Sequence, residues 1–469
     1  MTPSSFGRAA SAERRSRGDR HLGVVSYRLP VTHADDLGWQ RSPGGLVSAL
    51  TPALEQRSAV WFGHVDEGDP EPPARHDGVR LRGLELTARE RAAAIDGACN
   101  RSLWPALHGI DDRIEQDDSW WEAYIGLAAR NARRIADTAP WTSAVWVHDY
   151  HHLLLAQEIR SLRSDLRLGL FLHTPVVASS LARLDPAERL ADGIAAFDVV
   201  ATQTLRDAEQ LGRFLGDAST ERPDVLEAIP VGFDVGRWMR YRDDPVVTAL
   251  AEREAAADGL LAVGVDRSDY TKGLVPKLEA IEMLLDDGRL DPDGFRLVQI
   301  ATPTRVGIAA YDEVAARVDG LAKRVNARFS RTDGRRVIDL VSEPRPPREI
   351  AALMRASDIA LVTPERDGMN LVALEYSAVN ADRPTALVLG AGAGVASDLA
   401  DAADIVDGSD ARSIADTLVS LVDSAPDSAA LWSRRARRRC DIASRFTAER
   451  WVDEFMSALD PYHGQRLIG

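Results

Sequence analysis

Short apolar runs that stop at a polar loop and resume with helical spacing recur along this chain, and that alternation restricts its fold more than any other feature. The runs are Leu22 to Ser26, Val60 to Phe62, Ser143 to Val147, Leu168 to Leu172, Val199 to Thr202, Ala228 to Val231, Leu260 to Val265, Phe295 to Ile300, Ile359 to Val362 and Ala386 to Gly390. Strands alternating with helices predict an α/β protein with parallel, doubly wound sheets. At 469 residues the chain exceeds one ordinary domain, so two are expected, each with its own core. Such sheets bind ligands at their carboxyl edges, where each strand passes into the next helix.

Residues 1–20, rich in Ser, Arg and Ala without apolar periodicity, read as a flexible tail. Residues 21–240 form the first expected domain, ending in a linker from Val235 to about Arg242, and residues 241–440 form the second. Residues 441–469 include an amphipathic stretch, Ala443 to Leu459, expected to cross back and brace the first domain. Composition excludes several functions. Net charge is −15, which disfavours nucleic acid as partner. No apolar run reaches the roughly 18 residues of a membrane span, and the N-terminus lacks the apolar segment of a signal peptide, so a cytoplasmic protein without membrane partners is expected. Cys99 and Cys440 are far apart and in no metal-ligand pattern, and are read as free thiols.

The junctions carry the chemistry. From Leu361 to Tyr376 the chain reads as strand, turn and helix, with Asp367 in the turn and Glu375 farther into the helix. The first backbone N–H groups of such a helix suit an anion or sugar hydroxyl, though the same pattern also describes an ordinary turn with a solvated acid. After Leu260 to Val265 comes Asp266-Arg267-Ser268-Asp269-Tyr270-Thr271-Lys272-Gly273. Arg267 and Lys272 on one loop suit a diphosphate, against the alternative of a solvated basic loop. The loop lacks the Walker pattern. Arg305 follows another strand. His148-Asp149-Tyr150-His151-His152 has two histidines four apart, but His148 ends a strand and no third ligand is recognisable, so no metal site is expected. His173 ends the next strand in the same way. Gly44-Gly45 before a helix and the glycines from Gly390 to Gly394 are weaker signals for close backbone approach. Trp104, beside Pro105, is the better aromatic platform because a loop aromatic can face a cleft.

In order, Val25-Ser26-x-Arg28-Leu29-Pro30, Arg41 to Leu46, Leu103-Trp104-Pro105, His148-Asp149-Tyr150, Phe171-Leu172-His173-x-Pro175, Asp266 to Gly273 and Arg366 to Val372 together resemble the trehalose-6-phosphate synthase family. The resemblance runs from about Leu22 to Leu459. It implies a GT-B fold, in which two Rossmann-like domains face a central cleft, the N-terminal one binding acceptor and the C-terminal one nucleotide sugar. It implies retaining transfer of glucose from UDP-, GDP- or ADP-glucose to glucose 6-phosphate, no cofactor and no catalytic metal, and often a homo-oligomer. Carried onto this sequence, Arg267 and Lys272 would hold the diphosphate. Glu375 would bind the ribose, and the backbone of Gly368, Met369, Asn370, Leu371 and Val372 would lie against the donor, with Gly45 closing the N-terminal loop over it. His173 and Asp367 would grip glucose hydroxyls. Asp149 would orient the acceptor, Arg28 and Arg305 would take its phosphate, and Trp61 and Trp104 would wall the pocket.

The departures fall on the acceptor side. Where the family carries Tyr-Tyr-x-Gly-Phe-Ser-Asn this chain has Ala94-Ile95-Asp96-Gly97-Ala98-Cys99-Asn100, and Ile95 cannot hydrogen-bond a phosphate. Thr174-Pro175-Val176-Val177 replaces Ile-Pro-Phe-Pro, and Ser268 replaces leucine. Two alternatives follow: a paralogue using another sugar phosphate, a glycerol phosphate or a cyclitol phosphate, and a regulatory protein that binds nucleotide sugar without turnover.

Overall fold

The computed structural model describes residues 22–34, 38–42, 45–55, 57, 59–138, 142–255, 259–329 and 331–460. The expected tail at 1–20 lies outside the described residues, as do Pro43 and Gly44. The chain divides into two compact units, Met1–Gly232 with Ala448–Gly469, and Phe233–Thr447.

In the first unit the strands are β1 (Leu22–Arg28), β2 (Val31–Ala34), β3 (Gly38–Arg41), β4 (Ala59–Asp66), β5 (Arg75–His76), β6 (Val79–Leu86), β7 (Ala144–His148), β8 (Arg167–Phe171), β9 (Val199–Thr202) and β10 (Val225–Ala228). Eight form one sheet in the order β10-β9-β8-β7-β1-β4-β6-β5. All its pairs are parallel except β5 on β6 at the edge, while β2 and β3 make a separate antiparallel hairpin. Central strands such as β7 are buried along their whole length, as a sheet covered on both faces requires. The helix Ala448–Ala458 returns to this unit. It sets Trp451 and Phe455 against Trp146, with ring centroids 5.1 and 4.3 Å apart. Both are almost fully buried, worth about 1.5–3 kcal/mol for a side chain of the phenylalanine class.

The second unit holds β11 (Leu260–Arg267), β12 (Phe295–Thr302), β13 (Ile338–Val341), β14 (Ile359–Val362), β15 (Ala386–Gly390) and β16 (Asp404–Val406). They form one parallel sheet ordered β13-β12-β11-β14-β15-β16. Inside it, Lys277 Nζ donates to Asp266 Oδ2 and Gln299 Oε1, each at 3.0 Å. Lys277 is fully buried, and such a charge is tolerated only with this pairing.

Two local expectations are corrected, the strand at Ala228 to Val231 and the linker from Val235. The run Ala228 to Val231 is not a strand; the ladder to β9 uses residues 225–228, and Pro230 has no N–H to extend it. Leu86 ends β6. A helix starts at Ala88 behind a capping box in which Thr87 and Glu90 bond each other's backbone, a Thr-x-x-Glu signal present in the sequence. It continues from Arg91 to Leu103 with π-type bonding. The expected linker is a helix, Val235–Arg240, capped by Asp234, whose Oδ1 accepts from the Arg237 N–H at 2.8 Å. The stretch Ala443 to Leu459 holds the helix Ala448–Ala458, preceded by the helix Ala429–Ala443. Between them the Phe233 N–H donates to Phe446 O at 3.0 Å.

Candidate active site

At the carboxyl edge of the second sheet, β11 runs out at Arg267 into a single turn, Tyr270–Lys272. Asp269 starts that turn, with Oδ1 accepting from the Thr271 N–H and hydroxyl at 3.1 and 3.0 Å. Gly273 ends it at φ +62°, where a β-carbon would overlap the Thr363 carbonyl oxygen. Glycine alone meets both demands. The turn thereby sits against the loop after β14, where the Glu365 N–H donates to Thr271 O at 2.9 Å.

That loop carries Asp367. Lys272 Nζ donates to Asp367 Oδ2 at 2.6 Å, and Asn370 Nδ2 donates to the same oxygen at 3.0 Å. Oδ1 accepts from the Gly368 N–H at 2.9 Å. Asn370 lies at φ 68° and caps the helix Leu371–Val379 by accepting from the Ala373 N–H at 3.1 Å. Met369 is turned into the core and its carbonyl accepts from the Val395 N–H. Leu371 and Val372 open the helix half-buried. The glycines after β15 serve packing: a β-carbon on Gly392 would overlap the Glu365 carbonyl oxygen, and Gly392 O accepts from the Asp367 N–H at 3.0 Å.

Arg305 joins the same cluster, with φ 49°. Its Nη1 donates to Asp269 Oδ2 at 2.9 Å and its guanidinium carbon is 4.9 Å from the Tyr311 ring centroid. Burial by itself would raise the Asp269 carboxyl, but Arg305, Arg267 and Lys272 outweigh it and leave the group below its ordinary value. Glu375, half-buried in its helix, has its carboxyl pushed up to about 8 by burial, opposed by Arg237 and a hydrogen bond with Trp238.

The first sheet's carboxyl edge is built from histidines. Because β7 and β8 pair with His148 opposite Phe171, His173 comes beside His148, and Nδ1 of His148 and Nε2 of His173 share a hydrogen bond at 3.1 Å. Burial pushes His173 down to about 3 and His152 to about 4, and lowers His148 and His64 well below the ordinary value, helped by neighbouring histidines. These rings are neutral at physiological pH. Asp149 sits at φ 72°, its N–H donating to Phe171 O at 2.8 Å and its Oδ1 accepting from the His173 N–H at 3.3 Å. Non-glycine residues pay strain for such a backbone, and it recurs at functional sites. Arg28 is exposed at the end of β1, beside Tyr27, which stacks on His151 at 4.6 Å. Gly45 is the exposed first residue of the helix Gly45–Glu55.

Two expectations on aromatic walls are corrected. Trp61 has no exposed surface and its indole N–H donates to Ser26 Oγ at 2.8 Å, because it lies within the buried strand β4. Trp104 is in the helix Trp104–His108, not in a loop. It is 6% exposed, packed on His108 and Tyr150. Asp269 was missed; it stands two residues before a threonine, an Asx-turn signal. Ile95 is buried at 2% in the π-type helix. Among the described residues no three His, Cys, Asp or Glu side chains form a metal-holding group. Both cysteines are buried and unbridged, and no described helix is long and apolar enough to cross a membrane.

The signature of glycosyltransferase family 20 spans residues 20–461. This chain belongs to that family. A trehalose-6-phosphate synthase of Mycolicibacterium gilvum (strain PYR-GCK) is 32% identical, with 93% of each chain covered. Among solved structures, a UDP-forming alpha,alpha-trehalose-phosphate synthase of Burkholderia xenovorans in complex with glucose-6-phosphate is 27% identical at a TM-score of 0.83, covering 93% of this chain and 99% of that one. An E. coli structure bound with UDP-2-fluoro glucose is 25% identical at 0.84, covering 94% and 99%. The family 20 chain is thus a glycosyltransferase with the GT-B fold, its two parallel-sheet units matching those enzymes.

Proposed function

We propose that this family 20 chain moves glucose from a nucleotide-glucose donor to glucose 6-phosphate, giving trehalose 6-phosphate with retention at the anomeric carbon. The observation that carries the reading is the cluster at the second sheet's edge, in which Lys272 is bonded to Asp367 and Arg305 to Asp269. A cation held by an acid partner, as Lys272 is, suits a diphosphate whose negative charge grows as it leaves, and Arg305, held in the same way, suits the phosphate of the acceptor. Arg267 and Lys272 stabilise that leaving group, Glu375 takes the ribose, the segment from Gly368 to Val372 lies along the donor, and Gly45 closes over it. Asp367 and His173 bind hydroxyls of the donor glucose. Asp149 orients the acceptor, and Arg28 and Arg305 hold its phosphate. The bond between the anomeric carbon and the phosphate oxygen breaks while that carbon bonds the acceptor oxygen on the same face. The acceptor's hydroxyl proton passes to the departing phosphate, so no protein nucleophile is required. UDP-glucose is the first donor to try, since the Burkholderia enzyme is described as UDP-forming.

The acceptor edge favours one second reading. Ile95 is buried, and the small cavity beside Arg28 is lined by Asp66 and Asp69 as well as Arg91, so a different phosphorylated acceptor, including a cyclitol phosphate, fits the altered site. The deciding experiment is nucleoside diphosphate release from UDP-, GDP- and ADP-glucose, with and without glucose 6-phosphate, and products identified by mass spectrometry. Release that needs glucose 6-phosphate and yields a disaccharide phosphate upholds the first reading. Donor binding without release on adding glucose 6-phosphate overturns it in favour of another acceptor.

A further inference from the structure

A cavity of about 210 Å³ opens where β1 and β4 end, with Tyr27, Arg28, His64, Asp66, Asp69 and Arg91 in its wall. Arg91 is the first residue of the π-type stretch. Its Nη1 donates to the Tyr27 hydroxyl at 3.1 Å and its Nη2 to the Asp66 carboxylate. These two partners hold the planar head in one orientation, so its entropy is largely spent before any ligand arrives. A guanidinium has five N–H donors, more than Tyr27 and Asp66 engage. Arg28 reaches the same cavity from β1, its guanidinium carbon 5.4 Å from the Tyr27 ring centroid. Ile95, farther along the helix from Arg91, is buried and apolar, so Arg91 is the side chain through which this stretch meets the cavity.

Two guanidinium groups at one small polar cavity suit a phosphate monoester, which takes charge-assisted, paired N–H bonds. We propose that Arg91 binds the acceptor's phosphate together with Arg28, with Asp66 holding the guanidinium in position until the phosphate takes it over. The proposal rests on the reading that the acceptor is a sugar phosphate. It makes Arg91 a determinant of phosphorylated over unphosphorylated acceptors.

The test compares wild type, Arg91→Ala, Arg91→Lys and Asp66→Asn in KM for glucose 6-phosphate, KM for the nucleotide-glucose donor, and turnover with glucose in place of its phosphate. Arg91→Ala is expected to raise the glucose 6-phosphate KM about ten- to a hundredfold while the donor KM stays within about threefold, and to erase most of the preference over glucose. Arg91→Lys should fall between. Asp66→Asn removes a carboxylate that competes with the phosphate for Arg91 and repels it, while Tyr27 still orients the guanidinium, so its glucose 6-phosphate KM should fall. An unchanged KM in Arg91→Ala, an equal rise for donor and acceptor, or a rise in Asp66→Asn matching that of Arg91→Ala would each overturn the proposal. If wild type does not turn over glucose 6-phosphate, the functional reading fails separately, and calorimetric binding of inorganic phosphate judges Arg91. Binding lost in Arg91→Ala upholds the site, and phosphate binding that is absent from wild type or indifferent to the substitution refutes it.

Discussion

The two sheets present their carboxyl edges in opposite electrostatic styles. In the second unit three cations are matched to acids, Lys272 with Asp367 and Arg305 with Asp269 at the edge, and Lys277 with Asp266 inside the sheet. Beyond β7 and β8 in the first unit burial suppresses charge, leaving His148 and His173 neutral and bonded to each other, with His152 and His64 close by. The same α/β scaffold therefore offers in one unit an edge built for a diphosphate, where fixed cations act strongly in a partly dry site, and in the other, at the ends of β7 and β8, a neutral patch built for hydroxyl groups, which such rings can bind as donor or acceptor.

The sharpest way to break this contrast is to remove a cation. Lys272→Ala is expected to lower turnover by about 10²–10³, the usual scale for a group aimed at developing charge, as read by nucleoside diphosphate release. Wild-type turnover would end the idea that the second edge works by charge. Next in size is Gly392→Ala. Its β-carbon would overlap the Glu365 carbonyl and loosen the bond from the Asp367 N–H, costing about 1–3 kcal/mol of stability and raising the donor KM. Gly126→Ala, in the helix Asp118–Thr138 of the first unit with nothing near its β-carbon, serves as the control and should be neutral or mildly stabilising. Thermal melts and donor kinetics on both variants would show whether the rigidity is peculiar to the donor loop.

The pH dependence of stability should run in opposite directions. His173 and His152 fall from 6.5 to about 3 and about 4 in the fold, so the unfolded chain binds more protons between those values. Their contribution is complete above 6.5 and is lost as pH drops toward 4. Glu375 rises from 4.5 to about 8, so the folded chain holds the extra proton, and its contribution is lost as pH climbs from 4.5 through 8. Each slope is at most about 1.4 kcal/mol per pH unit. Melting temperatures of Glu375→Gln and His152→Gln against pH check this: the first should flatten the alkaline limb only, the second the acid limb only. The smallest effect follows from the same carboxyl. A ribose diol donates hydrogen bonds, which favour the ionised form. Donor binding near pH 7 should therefore release about one proton or less, seen as a buffer-dependent binding enthalpy that vanishes in Glu375→Gln.

Much of this was legible beforehand. The runs at Val199–Thr202, Ile359–Val362 and Ala386–Gly390 are strands with the expected bounds. His148 as the last residue of β7 was visible too, whereas His173, expected to end the next strand, lies two residues past β8. Their mutual hydrogen bond was not visible, because it depends on β7 and β8 being neighbours in a particular register. Trp61 was misjudged for a related reason: a strand aromatic looks the same in sequence whether its face meets a ligand or the core.

Local chemistry and spacing by themselves determined the parallel α/β architecture and the strand-edge positions of Asp149, His173, Arg267, Lys272, Arg305 and Asp367; the family was read from the resemblance of the motifs along the chain. These depend on patterns within a few residues, where periodicity and turn chemistry act. Tertiary structure alone decided which groups meet. Lys272 and Asp367 are 95 residues apart in the chain, Arg91 and Tyr27 are 64 apart, and the protonation of Glu375 and the histidines depends on how deeply other segments bury them. Pairing and desolvation are properties of the packed chain, and no stretch of sequence holds them alone.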